Sequence, residues 1–242
     1  MQIIGGDRLR PTNLNSPPTV VLIAGNNKIG AYTLCTARHL TNHQVQTIVY
    51  LLGNEPDLVN TVSYQRKIYL PTGGSLCTSP HDLPPHSLAT VDLIVDGLLG
   101  ATQPTLLDLS TEFERVQACE AIAWSNASRA RILCLDVPSG VHPVTGIPAS
   151  PAHHIVGRWT LAFGLPKASL ALVGREIAGD LFLADIGIPR IVFQKLRAGV
   201  AGVEHGGVIG GVGGAGLDGF RKPLLYIPPF GDKYLVGIRI AE

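Results

Sequence analysis

Residues 20–40 read VVLIAGNNKIGAYTLCTARHL, and no other segment constrains the fold of this chain as closely. The segment starts with four apolar strand formers, continues into a glycine–asparagine–asparagine turn, and ends in apolar residues at helical spacing. A strand, a turn of this composition and a helix form the unit that opens a Rossmann-like sheet. The first N–H groups of such a helix lack partners within the helix, so a phosphate group can bind at this turn.

Other apolar runs have the length of strands and alternate with helical patterns. The strands predicted after the first lie at residues 46–52, 67–70, 91–96, 132–136, 159–163, 181–185, 224–227 and 233–240. Helices are predicted at residues 55–66, 111–126 and 188–197, with a loop at 71–88. Apolar runs without alternation are typical of parallel strands that are covered on both faces. The chain is therefore predicted to form a mostly parallel sheet, with its last two strands at an edge.

The predicted helix at 111–126 carries two further signals. Thr111 followed by Glu114 indicates a capping box at its start. Every third residue is then apolar, at Phe113, Val116, Cys119 and Ile122. This spacing predicts that these four side chains share one side of the helix.

Composition narrows the class of protein. The chain has 242 residues, of which 45% are apolar and 15% charged, and its net charge is +1. These values fit a single α/β domain over residues 1–242 and argue against a strongly basic nucleic-acid-binding protein. No apolar run approaches the roughly 18–20 residues that span a bilayer, so no membrane partner is predicted. Residues 199–219 contain ten glycines, and a flexible surface loop is predicted there because ordering them costs much backbone entropy.

The spacing of the cysteines and the distribution of charge along the chain predict the state of the thiols and the place of a basic surface. The four cysteines lack metal-type spacing, and Cys35, Cys119 and Cys134 are predicted to be buried, reduced thiols. Residues 1–128 contain 7 Lys/Arg and 10 Asp/Glu, whereas residues 129–242 contain 12 and 8. Folding can therefore gather a basic surface from the second half, although scattered solvated charge explains the same counts.

Polar residues follow three predicted strands at the carboxyl edge, where ligands of parallel sheets bind. The nucleotide-binding candidates are Gly25, Asn26, Asn27, Gly97, Leu98, Gly100, Ser139 and Gly140. Carboxylate, amide and hydroxyl groups at this edge suit a cation and a nucleotide, and Asp136 suits a general base. An aspartate at a strand end, such as Asp96 or Asp136, is equally typical of a helix cap or turn. No G-x-G-x-x-G between a strand and a helix, no Walker loop and no G-x-S-x-G elbow is present, which argues against an ordinary dehydrogenase, ATPase or serine hydrolase.

Five motifs occur in order over roughly residues 18–195: GNN followed by ARHL, DLIVDGLLG, ILCLDVPSG, TLAFGLPKASL and DLFLADIGIP. This set resembles the YjeF N-terminal domain. The resemblance implies a Rossmann-like three-layer α/β/α sandwich with a mostly parallel sheet. NAD(P)HX epimerases share this domain with the C-terminal module of the enhancer of mRNA decapping protein 3 family.

The first turn separates these two groups. In the epimerases it typically reads GNNGGDG, whereas here Asn26 and Asn27 are followed by Lys28 and Ile29, and the Gly-Gly-Asp portion is missing. The turn is about two residues longer, so Lys28 and Ile29 are expected to push bulk toward the diphosphate position. At the other positions of the epimerase site, this chain retains the residues that the epimerases have.

The resemblance assigns roles to those retained residues. Asn27, Asp96 and Ser139 match positions that help to hold a monovalent cation, while no other metal is expected. Asp136 matches the acid of the DxPSG motif that acts in epimerisation, and Lys167 matches the lysine of the GLPK segment. Retention of these residues fits residual ligand binding, or a need for them in shaping the loops.

Flanking residues favour the decapping family. That family shows K-x-GA in the first turn, then a cysteine and RHL, as in residues 28–40 here, and similar stretches are NHQVQ, CTSPHDLP and GIPRIVFQKL. The sequence DVPSG at 136–140 is closer to the epimerase pattern than the corresponding segment of some animal decapping proteins. It is typical of a fungal-type decapping protein. The resemblance implies a homodimer that binds RNA and bridges decapping factors, through the full-length protein, in cytoplasmic processing bodies. The helices that normally open the domain are expected to be missing or cut short.

Two hypotheses result. The leading one is a non-catalytic scaffold module, with RNA bound by the basic residues Arg190, Lys195, Arg197, Arg221 and Lys222. It requires no cofactor, although NAD(H) or ATP can bind in a retained Rossmann pocket. The alternative is an NAD(P)HX epimerase that uses Asp136.

Overall fold

The structure is a computed structural model, and it describes residues 6–10, 12, 16–87, 91–101, 105–148, 150–189, 191–192, 225–226 and 235–240. The strands are β1 Thr19–Ala24, β2 Gln46–Leu51, β3 Ser75–Cys77, β4 Leu93–Gly97, β5 Arg131–Leu135, β6 Trp159–Phe163, β7 Asp180–Ala184, β8 Leu225–Tyr226 and β9 Leu235–Ile240. The α-helices are α1 Lys28–Asn42, α2 Asn60–Tyr69, α3 Glu112–Ala127, α4 Ser169–Leu172 and α5 Arg175–Ala178.

The strands form one sheet in the order β3-β2-β1-β4-β5-β6-β7-β9-β8. The first seven are parallel, and β9 pairs antiparallel with β7 and with the edge strand β8. The predicted mostly parallel sheet and the edge position of the last strands are therefore confirmed. The order reverses between β1 and β4, which is where open sheets of this kind form a ligand crevice.

Helices cover the two faces of the sheet unequally. Apolar residues of α1 and α2 bury the face formed by Val20, Leu22 and Val95. On the opposite face, α3 packs near β4 and β5, and α4 and α5 pack on β6 and β7. The three layers follow from strands that are apolar on both sides.

One predicted strand is wrong. Residues 67–70 end α2 and enter a 3-10 turn, and the strand lies instead at Ser75–Cys77, inside the predicted loop. The helix extends because Val62 and Tyr69, seven residues and about two turns apart, are both fully buried. The Tyr69 hydroxyl then bonds to Thr47 Oγ1 at 2.9 Å and donates to the Ser75 carbonyl at 3.0 Å.

The predicted apolar side of α3 is also wrong. Phe113 is 62% exposed and Val116 is 47% exposed, whereas Ala118, Ala121 and Ile122 are fully buried. Each residue of an α-helix turns about 100° around the axis, so residues three apart differ by about 60° in direction. After three such steps Ile122 points roughly opposite to Phe113. The helix thus presents its two first large apolar side chains to solvent.

Two other sequence predictions meet the structure only in part. All four cysteines are free thiols, but only Cys134 is buried, and Cys35 and Cys119 are partly exposed because they lie at the borders of their helices' packed sides. Of the helix predicted at 188–197, residues 191–192 are helical and residues 188–189 are not, whereas residues 190 and 193–197 and the glycine-rich segment 199–219 lie outside the described residues.

The capping box predicted for α3 is confirmed and gives a test of local stability. Thr111 Oγ1 accepts from Glu114 N at 3.1 Å, and Glu114 Oε2 accepts from Thr111 N at 3.2 Å. Thr111→Ala removes the first bond and is expected to lower the free energy of unfolding by about 1 kcal/mol in urea denaturation. Thr61→Ala, an exposed site inside α2, is the control and is expected to change it by less than about 0.5 kcal/mol. Equal effects of the two substitutions would contradict the role of the cap.

Candidate functional site

The turn between β1 and α1 is closed by two glycines. A Cβ atom at Gly25 would lie 1.8 Å from the Leu98 carbonyl oxygen, and one at Gly30 would lie 1.7 Å from the Gly25 carbonyl oxygen. Gly25 N also donates to the Gly97 carbonyl at 3.1 Å. The backbones of the β1 turn and the β4 turn are therefore in direct contact at the switch point of the sheet.

Asn27 caps α1 and holds the β4 turn at the same time. Its Oδ1 accepts from Gly30 N at 3.0 Å, and its Nδ2 donates to the Leu98 carbonyl at 2.8 Å. The side chain is 7% exposed. One of the helix N–H groups that a phosphate would use is thus already bonded to the protein.

Asp96 and Ser139 form the centre of the site. Ser139 Oγ donates to Asp96 Oδ1 at 2.6 Å, and Ser139 N donates to Asp96 Oδ2 at 2.8 Å. Leu98 N donates to the same carboxylate at 3.2 Å, and Leu99 N donates to Ser139 Oγ at 2.9 Å. Burial raises the pKa of Asp96 above its usual range, and the bonds from Ser139, Leu98 and Cys134 oppose this rise.

The three residues predicted to hold a cation are therefore brought together. Asn27, Asp96 and Ser139 each bond to the backbone of residues 98–99, and each is buried. Their arrangement also satisfies the alternative that was open from the sequence, in which a strand-end aspartate shapes a turn. Whether the same oxygens bind a cation stays a prediction.

Ile29 occupies the space beside this network. Lys28 points to solvent, whereas Ile29 is 4% exposed. A Cβ atom at Gly100 would lie 2.8 Å from Ile29 Cγ1, and one at Gly97 would lie 3.4 Å from Ile29 Cγ2. An apolar side chain thus fills the gap between the β1 and β4 turns. The sequence predicted added bulk from residues 28–29, but not that the isoleucine alone would supply it.

Two of the nucleotide-binding candidates face other parts of the protein. Asn26 Nδ2 donates to the Asp57 carbonyl at 2.9 Å, and Asn26 Oδ1 accepts from Val59 N at 2.9 Å. Gly140 has a positive φ of 86°, and a Cβ there would lie 2.2 Å from the His153 carbonyl oxygen. These residues fix neighbouring loops, and their role toward a nucleotide remains a prediction.

Asp136 stands apart from the network and has an unusual backbone. Its φ is +68°, a left-handed conformation that costs free energy for a residue with a side chain. The residue is 4% exposed, and its Oδ1 accepts from Lys167 Nζ at 3.0 Å. The predicted acid and the predicted lysine are thus an ion pair at the carboxyl edge of the sheet.

The basic residues predicted to bind RNA, Arg190, Lys195, Arg197, Arg221 and Lys222, lie outside the described residues. Within the described part of the chain, none of the helices has the length and apolar character that a membrane span requires.

Comparisons with known proteins give a consistent result. The family model for the YjeF-related protein N-terminus matches residues 7–169. Enhancer of mRNA-decapping protein 3 from Mus musculus is 35% identical over 198 residues, which cover 81% of this chain and 34% of that protein. NAD(P)H-hydrate epimerase from Dehalogenimonas lykanthroporepellens is 30% identical over 225 residues, which cover 92% of this chain and 74% of that protein.

A solved structure supports the fold. The crystal structure of yeast ynu0, YNL200c, has a TM-score of 0.58 at 18% identity, with 78% of this chain and 76% of that chain covered. The predicted Rossmann-like fold is confirmed. The chain spans about a third of the length of the decapping relatives that it matches.

The buried Asp96 carboxyl group predicts a pH dependence of stability. Because its pKa is raised in the folded protein from 3.8, the folded state keeps the proton over a range in which the unfolded chain has released it. The free energy of unfolding should therefore fall as pH rises through this range, and Asp96→Asn should remove that component. Urea denaturation of both proteins at a series of pH values measures it. Parallel pH profiles of the two proteins would show the prediction to be wrong.

Proposed function

The chain belongs to the YjeF-related protein N-terminus family, and on that premise we propose that it is a non-catalytic, homodimerising scaffold module of the mRNA-decapping machinery. Its place of action is the cytoplasm, in processing bodies. It binds RNA as a dimer, and it contacts decapping factors as part of a longer protein. The names of its relatives from Mus musculus and Homo sapiens support the decapping assignment.

The observation that carries the non-catalytic part of the proposal is the filled first turn. Asn27 bonds to Gly30 N, and Ile29 packs against the turn at Gly97 and Gly100. A diphosphate placed over this turn would meet an occupied N–H group and an apolar side chain instead of an open cradle. Turnover of a dinucleotide-derived substrate is therefore disfavoured.

The exposed face of α3 supports the homodimeric part. Phe113, Val116, Gln117 and Glu120 lie at positions that share one helical side, and they line a groove with residues 78–81. His81 lies 3.9 Å from Glu120 at the rim of this groove. Large apolar side chains rimmed by polar ones are typical of protein interfaces, and a two-fold contact would bury the same patch on both copies.

RNA binding is proposed as a weak, salt-sensitive contact without base specificity. In this mode RNA phosphates are contacted by the basic residues Arg190, Lys195, Arg197, Arg221 and Lys222. These contacts release counterions from the RNA, so the affinity falls as the salt concentration rises. An affinity that stayed constant between low and moderate salt would rule out this mode. A nucleotide such as NAD(H) or ATP is proposed as a bound regulator of the retained pocket, and calorimetry with each tests it.

A specific observation favours a second candidate, an NAD(P)HX epimerase. Asp136 is buried, has a left-handed backbone and forms an ion pair with the half-buried Lys167, and strained backbone of this kind is concentrated at functional sites. The epimerase relative also matches 92% of the chain. Asp136 would move the proton in that reaction, and the hydrogen bond from Lys167 Nζ would hold its carboxylate in position.

An epimerisation assay separates the two candidates. We expect no conversion of one NADHX epimer into the other above the uncatalysed rate, because the first turn is filled. Activity that is present in the purified chain and lost in Asp136→Asn would establish the enzyme instead. Thr61→Ala, at an exposed position of α2 outside the network, serves as the control for nonspecific damage.

The size of the chain in solution tests the proposed dimer. Sedimentation velocity is expected to show a dimer that becomes monomeric in Phe113→Asp, because a charge would then be buried at the centre of the contact. Tyr64→Asp is the matched control, since Tyr64 is 63% exposed on α2, across the sheet from α3. A monomeric wild-type chain, or a dimer that persists in Phe113→Asp, would contradict this interface.

A further inference from the structure

One face of the sheet is only half covered among the described residues. Helix α1 packs over β1, β2 and β4, and α2 packs against α1. Beyond α1, successive residues of β6 and β7 alternate between partly exposed and buried, and so lie on opposite faces of the sheet. The buried residues point toward α4 and α5, and the partly exposed ones form a platform on the other side, where Trp159, Leu161 and Phe163 also pack against the core that includes α1.

Aromatic residues dominate this platform. Trp159, Leu161 and Phe163 alternate along β6, and Phe182 of β7 pairs with Leu161 in the sheet register. Tyr32 of α1 extends the surface, because its ring meets Phe163 edge-on at 5.8 Å between centroids and is 53% exposed. From Trp159 to Phe163 the strand rises by about 13 Å.

Arginines surround one end of the platform. The guanidinium carbons of Arg131 and Arg158 lie 5.7 Å and 5.8 Å from the centroid of the Trp159 ring. Asp180 is the neighbouring acid, and it is shared by Arg158 at 3.4 Å and by Arg175. Arg175 belongs to α5 on the opposite face, so Arg131 and Arg158 stand against one aspartate on the platform side and leave this end with a net positive charge.

We infer that this platform, formed by Tyr32, Trp159, Leu161, Phe163 and Phe182, binds single-stranded RNA by base stacking. The inference rests on the proposed RNA-binding function and gives it a surface separate from the basic residues predicted from the sequence. Sheets that expose aromatic rings stack two or three bases of single-stranded RNA, and arginines beside the rings hold the backbone. A run of about 13 Å accommodates this number of bases.

Charge favours RNA over a second copy of the chain as the occupant. In a two-fold contact through this face, the arginine-rich end of one copy would meet either the arginine-rich end or the apolar end of the other copy. Neither arrangement neutralises the positive charge of the arginines. The phosphates of an RNA strand neutralise it directly, while every base offers a ring face to the aromatic residues. The proposed homodimer uses α3, which lies on the opposite side of the sheet.

The two tryptophans provide a built-in probe, because Trp124 lies in α3 and Trp159 lies in the platform. Trp124→Phe leaves Trp159 as the sole tryptophan, and its fluorescence is expected to be quenched on titration with a short poly(U) RNA. Trp159→Leu leaves Trp124 alone, and its emission is expected to stay constant while RNA affinity falls roughly tenfold. Phe182→Leu keeps the apolar packing but removes a ring, and it should weaken binding in the same way.

Salt and charge variants complete the test. Arg131→Gln is expected to reduce the slope of log affinity against log salt by about 0.7, which corresponds to one lost phosphate contact. RNA binding with unchanged Trp159 emission and full affinity in Phe182→Leu would overturn the platform but leave the proposed function standing. No RNA binding by the unsubstituted chain would overturn both. A change in sedimentation without a change in RNA affinity in Phe182→Leu would identify the face as a protein contact and overturn the inference.

Discussion

The buried carboxylate of Asp96 organises the functional edge of this protein. It accepts hydrogen bonds from both the backbone and the hydroxyl group of Ser139, and from the backbone of Leu98. An ionised group at that depth is stable only when such donors surround it, so the ends of β4 and β5 must stay together. Asn27 joins the end of β1 to the same point. Three strands thus share one polar centre in an otherwise apolar sheet.

The same residues explain how a chain with the proposed scaffold role can share site residues with an enzyme. In a ligand-binding version of this edge, the polar groups would face a bound molecule. Here they face one another, and Ile29 packs beside them. The hydrogen bonds of Asn27, Asp96 and Ser139 within the protein are therefore sufficient to explain why these residues are retained, while their binding of a cation stays a prediction. Asp136 and its ion pair with Lys167 have no comparable structural explanation, and they keep the epimerase candidate open.

Much of the fold could be predicted because the strands are apolar runs with clear ends, and the Gly-Asn-Asn turn marks the first crossover. The convergence of residues 27, 96 and 139 followed from the rule that parallel strands end at one edge. The failures have local causes. Tyr69 is drawn into a helix by buried hydrogen bonds that no pattern reveals, and the three-residue spacing on α3 predicts one face although it winds around the helix. The aromatic platform was missed because β6 is apolar on both sides, and sequence alone cannot tell which side a helix covers.

The two hydrogen bonds of the Asn27 side chain also connect this edge to more distant parts of the protein. A molecule that displaced its amide from Leu98 would loosen the turn that holds Ser139, and the Ser139 carbonyl in turn accepts from Ile155 N at 2.8 Å. The next residues, His154 and Val156, are bonded to Asn126 near the end of α3. Hydrogen bonds and short backbone steps therefore connect the turn between β1 and α1 to α3, the helix proposed as the dimer contact. A coupling free energy would then link occupancy of the turn to association of two chains. Each event would change the equilibrium constant of the other by the same factor.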